Sequence, residues 1–86
     1  MQNYKLDGII VFYNSFQVFR AENKLKLYVD LKIVPGPRKI SPNCGTALAF
    51  DYLKHNEVKE LLKKYKLNFE GVFHYPKGLI LEDLIS

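Results

Sequence analysis

Cys44 has the clearest potential for covalent chemistry in this chain, because it is the only cysteine and a glycine follows it. The thiolate is the reactive form of cysteine, and Arg38 and Lys39 lie close enough along the chain to stabilise that anion. A free thiol has a pKa of about 8.5, so a decrease of ~2 units would make it mostly anionic at neutral pH. Gly45 leaves room for a second molecule to approach. The alternative is a buried cysteine that acts as a small apolar residue.

The absence of a second cysteine restricts what Cys44 can do. A C-x-x-C metal or redox site and an internal resolving thiol are both excluded within this chain. A product formed on Cys44 must therefore wait for another molecule, which suits a carrier better than a disulfide reductase. His55 and His74 have no second ligand at metal-binding spacing, so we expect no metal site and no cofactor. We also consider His74 as a base for Cys44, although no spacing in the sequence places the two residues together.

Prolines punctuate the segment that leads to Cys44. Pro35 and Pro37 fix φ and lack an N–H donor, so we expect them to end the preceding strand. The segment Pro35–Asn43 is predicted to be a stiff, mostly extended loop that tertiary contacts hold in one shape. Cys44 then lies at a junction between this loop and a strand, a position that can present a thiol to solvent.

Two similar halves flank this loop in the predicted order of elements. Each half reads strand, helix, strand, and a split pair of such units is typical of a ferredoxin-like α+β sandwich. This fold has one four-stranded antiparallel sheet with two helices on one face. The predicted strands are Gly8–Tyr13, Leu31–Val34, Thr46–Phe50 and Asn68–Tyr75, and the predicted helices run from Asn14 or Ser15 to about Tyr28 and over Leu53–Leu67.

Helical spacing also predicts which side chains form the core. The second helix begins after Asp51, a plausible N-cap, and its charged residues, Glu57 and Glu60 among them, alternate with one apolar stripe. In the first helix, Asn14 and Gln17 approximate a capping box. The predicted core residues are Phe16, Val18, Phe19 and Leu25 in the first helix and Val58, Leu61, Leu62 and Tyr65 in the second.

The chain divides into a ferredoxin-like domain over residues 1–76 and an apolar C-terminal tail over residues 77–86. Leu79–Ile85 contains five apolar residues, which we expect to be covered rather than exposed. The two helices leave one sheet face free, so the tail can cover that face in its own chain or in a second subunit. We favour the second arrangement, a homodimer.

Charge and hydropathy narrow the possible partners. The net charge of +4 is typical of a solvated lysine-rich surface, and it keeps nucleic acid as an alternative partner. An RNA-recognition sandwich needs aromatic rings on its central strands; Phe12 or Tyr13 could serve, but the third strand offers alanines instead. We therefore expect no nucleic acid. No apolar run reaches the ~20 residues of a membrane span, no signal peptide is visible, and one cysteine suits a reducing, cytoplasmic location.

The segments V-P-G-P-R and C-G-T-A-L-A-F, with the K-E-L-L helix that follows, resemble a family of small bacterial domains described as selenium/sulfur carrier-like. The likeness extends over roughly Gly8–Tyr75 and leaves out the tail. It implies that sulfur or selenium is carried as a persulfide or perselenide on Cys44. The family's proline-arginine pair falls on Pro37 and Arg38, which we expect to contribute to binding together with Lys39 and Gly45.

The resemblance implies a carrier rather than an enzyme. Its partners would be a sulfur or selenium donor, such as a cysteine desulfurase, and an acceptor enzyme. At most the protein would perform a thiol-exchange step of the sulfurtransferase kind. The alternative is a protein-interaction module without catalysis, in which Cys44 is incidental.

Overall fold

Two β-α-β units build the fold, in the order predicted from the sequence. The structure is a computed structural model that describes residues 6–36 and 45–74. Its elements are β1 (Gly8–Val11), α1 (Ser15–Leu25), β2 (Lys32–Pro35), β3 (Thr46–Phe50), a single 3₁₀ turn (Tyr52–Lys54), α2 (His55–Lys64) and β4 (Gly71–His74). The predicted helices and strands are thus all present, with several ends that lie one to three residues from those expected.

The four strands form one sheet in the order β2-β3-β1-β4, and every neighbouring pair is antiparallel. Gly8 lies opposite both Phe50 and His74, so these residues mark one end of the sheet, which we call the histidine end. At the other end Val11 lies opposite Ala47 and Gly71. We call this the loop end, because segment 37–44 leaves and re-enters the sheet there. With both helices on one face, this is the predicted ferredoxin-like fold.

The larger core lies between the sheet and the two helices. On the helix side, Asp51 caps the 3₁₀ turn that leads into α2, because its carboxylate accepts a hydrogen bond of 3.1 Å from the Leu53 N–H. The N-cap position of α2 itself is Lys54, whose side chain forms no cap bond. Tyr65 is only partly buried. The buried members of this core are Ile10, Phe12, Val18, Ala21, Leu25, Val29, Leu48, Phe50, Val58, Leu61, Leu62 and Leu67.

The first helix begins with a reciprocal cap close to the predicted capping box. The Asn14 side chain accepts from the Gln17 N–H at 3.0 Å, and the Gln17 side chain accepts from the Tyr13 N–H at 3.1 Å. The second bond falls one residue earlier than in the standard motif. Together they fix the turn by which the chain leaves β1 and enters α1.

The predicted apolar stripe of α1 is partly wrong. Phe16 and Phe19 are exposed, and Val18, Ala21 and Leu25 are the helix residues that face the core. These three follow each other at spacings of three and four, which leaves the two phenylalanines on the opposite side of the helix. Ala21 is thus buried in the core, whereas the prediction placed two large rings there.

The second sheet face is also buried. Ile9, Val11, Val34, Ala47 and Ala49 form a separate apolar cluster in which each residue is at most 3% exposed. Both helices pack against the opposite face, so this cluster is not covered by them. The apolar tail that was predicted to cover this face, and the boundary at residue 77, lie outside the described residues.

The fold bears on two function classes, membrane-spanning proteins and RNA-recognition domains. In the described part of the chain, no helix is long and apolar enough to cross a bilayer. Phe12 belongs to the core under the helices, and Tyr13 lies beyond the end of β1. Within the described central strands β1 and β3, the second face thus presents aliphatic side chains and no stacking ring, unlike an RNA-recognition sheet.

Candidate functional site

The loop end of the sheet holds the two ends of segment 37–44 side by side. Pro35 lies opposite Thr46 as the last pair between β2 and β3. Beyond that pair, the Gly36 N–H donates a hydrogen bond of 3.0 Å to the Gly45 carbonyl. β2 is an edge strand, so Pro35 costs the sheet no ladder bond on its outer side. Cys44 therefore directly precedes, in sequence, a glycine that this hydrogen bond holds next to β2.

Gly45 is exposed and faces open space. A Cβ atom added to it would meet no heavy atom within 4 Å, and its φ lies outside the positive range. Neither internal packing nor backbone conformation therefore requires a glycine here. The absence of a side chain leaves open space at Gly45 itself, and its role in partner binding stays a prediction.

Most of the other predicted site residues lie outside the part of the chain that the structure describes, and His74 lies at the far end of the sheet. Cys44, Pro37, Arg38 and Lys39 lie outside the described residues, so their roles stay predictions. His74 lies at the histidine end, opposite Gly8. β3 rises about 3.4 Å per residue, so the length of the sheet, roughly 14 Å, separates that end from the start of β3. This separation argues against His74 as a base for Cys44.

His74 instead belongs to a cluster that the sequence did not predict. The Tyr52 ring stacks between two imidazoles, with centroid distances of 4.4 Å to His55 and 4.5 Å to His74. The Asp7 carboxylate accepts from the Tyr52 N–H at 3.0 Å, and its other oxygen lies 3.3 Å from His74 Nε2. His55 Nδ1 lies 2.9 Å from the Tyr52 carbonyl. The cluster thus joins the 3₁₀ turn to the first and last strands.

Asp7 is held in its ionised form by this cluster. Burial by itself would raise the pKa of Asp7, but hydrogen bonds from the Tyr52 N–H and its own N–H, together with His74, lower it below its usual value. Among the described residues, no group of three potential ligands could hold a metal ion. We interpret the cluster as structural, because its contacts join the 3₁₀ turn to β4 and to the residue before β1. The sequence indicates only one part of this cluster, namely the spacing of three residues between Tyr52 and His55.

The comparisons with known proteins identify a family. A family model described as "Putative Se/S carrier protein-like" matches residues 7–74, which is more than half of the chain. The match begins at Asp7, ends at His74, and includes the whole sheet and segment 37–44. No curated protein and no solved structure shows significant similarity to the chain.

Proposed function

Because the chain belongs to the Se/S carrier protein-like family, we propose that it carries sulfur or selenium as a persulfide or perselenide on Cys44. The family match is the observation that carries this proposal, and it agrees with the motifs of the sequence. The free volume beside Gly45 supports it, because a carried atom must be reached by a second protein.

The proposed step is an exchange between thiols. The Cys44 thiolate attacks the outer sulfur of a donor persulfide, such as one on a cysteine desulfurase. A bond forms between the Cys44 Sγ and that sulfur, the donor's S–S bond breaks, and the donor cysteine leaves as a thiolate. The proton of the outer sulfur stays on it, so no external oxidant or reductant is needed. An acceptor thiolate then removes the sulfur in the same manner.

The residues around Cys44 have defined roles in this proposal. Arg38 and Lys39 stabilise the thiolate and lower its pKa, while Pro37 restricts the backbone that presents them. Gly45 leaves room for the partner protein. The bond between Gly36 and Gly45 supports this arrangement, since it fixes the base from which the segment extends.

Alkylation of the native protein tests the proposal. We expect iodoacetamide to modify Cys44 rapidly, with an apparent pKa below the value of about 8.5 that a free cysteine thiol has. Incubation with a persulfide donor should add the mass of one sulfur atom, and a reductant should remove it. Cys44→Ser is the control that should gain no mass. An apparent pKa at or above that of a free cysteine thiol, or protection of Cys44 from alkylation, would contradict the proposal.

A second candidate is a protein-interaction module in which Cys44 is incidental. The exposed rings of Phe16 and Phe19 favour a protein partner, because large rings on a helix surface are common interface residues. Alkylation separates the two candidates. A native protein whose Cys44 resists iodoacetamide, but that still binds a partner, would be a module and not a carrier.

A further inference from the structure

An exposed aromatic surface begins at the loop end of the molecule. Phe16 is 73% exposed, Phe19 is 53% exposed, and Tyr13 is 57% exposed. Helix residues three apart are neighbours, so the two phenylalanine rings lie on one stretch of α1. The bond from the Tyr13 N–H to Gln17 holds Tyr13 at the same helix start. We call these three rings the aromatic strip.

Positive charge borders the aromatic strip. A cavity of about 170 Å³ beside it is lined by Phe16 together with Arg20 and Lys66, and none of its seven lining residues is acidic. Neither cation takes part in a salt bridge within the described part of the chain. A larger cleft of about 270 Å³ elsewhere is lined by two lysines and two aspartates. A basic lining without acidic residues therefore distinguishes the cavity beside the strip from the larger cleft.

The strip lies on the outer side of α1, a helix that begins at the same end of the sheet as β3. The helix α1 packs against β3, and both elements begin at the loop end, where Gly45 enters the strand. A protein that brings its own cysteine to the residue before Gly45 has to cover this end of the sheet. Such a protein would contact the first turns of α1 at the same time.

We propose that the aromatic strip, with Arg20 and Lys66, is the docking surface for the protein that donates sulfur to Cys44. Its counterpart on the donor is an apolar groove bordered by carboxylates. Aromatic side chains supply most of the binding energy in protein interfaces, and bordering charges speed association. The inference rests on the proposed function and adds a surface to it, since nothing in the exchange chemistry itself requires this strip.

The test compares a donor that must dock with a donor that need not. A cysteine desulfurase from the same organism, supplied with cysteine, is the docking donor, and glutathione persulfide is the small one. We expect Phe16→Ser combined with Phe19→Ser to lower the rate of loading by the desulfurase by roughly tenfold or more. Loading by glutathione persulfide should keep the wild-type rate. Arg20→Glu should also slow the desulfurase reaction, and added salt should reduce the difference.

Two variants control for general effects. Leu53→Ser replaces an apolar residue that is 86% exposed beyond the histidine end, and Lys59→Glu reverses an exposed charge on α2. Both should load at the wild-type rate with either donor. Urea unfolding should give the same midpoint for all variants, because the replaced side chains are exposed.

The remaining outcomes separate a failure of the docking surface from a failure of the carrier function. If the double phenylalanine variant loads normally from the desulfurase, or if Leu53→Ser is slowed equally, the docking surface is wrong and the carrier function stands. The same conclusion follows if the wild type accepts sulfur from glutathione persulfide but not from the desulfurase. Binding of single-stranded RNA that depends on the strip, with normal loading, would assign the surface to nucleic acid. If neither donor loads Cys44, the proposed function itself fails.

Discussion

Gly45 is a glycine that the internal packing of the chain does not require. Its backbone lies outside the left-handed region, and the space where a Cβ would stand is empty. Gly8 is the opposite case, since a Cβ there would lie 2.8 Å from the Phe50 ring. The two glycines therefore separate a steric requirement inside the fold from one that a partner would impose.

Gly45→Ala should leave the fold intact and slow sulfur transfer. We expect the free energy of unfolding to change by less than about 1 kcal/mol, because alanine mainly reduces the entropy of the unfolded chain. Loading of Cys44 by a protein donor should slow, while alkylation by iodoacetamide should not. Gly8→Ala is the matched control, with an expected destabilisation of roughly 1–3 kcal/mol in urea unfolding. Protein-donor loading of Gly45→Ala at the wild-type rate would show that this position does not contact the donor.

Asp7 gives the molecule an acid-sensitive contribution to stability. Its pKa is lowered in the folded protein, so the stabilisation is present above the unfolded pKa and is lost as pH falls through the folded value. The relevant window lies below about pH 4. We expect Asp7→Asn to reduce stability at neutral pH and to flatten the acid limb of a plot of unfolding free energy against pH. An unchanged acid limb would assign acid sensitivity to other carboxylates.

At the scale of elements, α1 and α2 each contribute three buried residues to the core. Val58, Leu61 and Leu62 are buried, and Lys63 and Lys64 complete the last turn on the solvent side. Cations in a last helical turn also interact favourably with the helix dipole. The position of each residue thus follows from one periodic pattern.

Leu62→Ala should destabilise the protein by about 2–5 kcal/mol, because Leu62 is fully buried and the cavity cannot close completely. Lys63→Ala, one residue later and exposed, should change the free energy of unfolding by less than about 0.5 kcal/mol. Urea unfolding measures both. A Leu62→Ala loss below about 1 kcal/mol would contradict the packing of α2 against the sheet.

The sequence predicted the fold and α2 well because these depend on periodic patterns. It misplaced Phe16 and Phe19, since a pattern of apolar residues does not tell a core ring from an interface ring. Ala21, which is buried in the core, gave no strong signal because alanine is common on both faces of helices. The contact between Asp7 and His74 joins residues 67 positions apart, and only the strand register brings them together. At the loop end, the roles of Cys44 and Gly45 stay predictions, and what the structure adds is the open space at Gly45.

At the scale of the whole molecule, both faces of the sheet are buried in a single chain. The cluster of five aliphatic residues on the second face is as inaccessible as the core under the helices. Exposed apolar surface of this kind would favour association. The sequence after β4, an edge strand, is rich in apolar residues, so we propose that residues 77–86 cover this face in their own chain. The homodimer that the sequence favoured stays a prediction, and this proposal is its alternative.

Truncation after Lys77 tests this proposal. We expect the full-length protein to be a monomer by sedimentation equilibrium, and the truncated protein to lose about 2 kcal/mol or more of unfolding free energy as aliphatic side chains become exposed. A polar substitution of Val11, which lies on the covered face, serves as a second measurement. A full-length dimer that becomes a monomer on truncation would place the tail on a second subunit. Unchanged stability would remove the tail from both roles.

The hydrogen bond between Gly36 and Gly45 has a consequence for how such proteins can diverge. It closes the base of segment 37–44 independently of what lies between, so a longer segment would cost little stability. Loop-closure entropy grows only with the logarithm of length, and each doubling costs about 0.6 kcal/mol. The distance over which the segment extends from the sheet can therefore change while the domain keeps its stability. Changes in the length of the segment, which alter the partners that it can contact, can therefore be selected without a loss of domain stability.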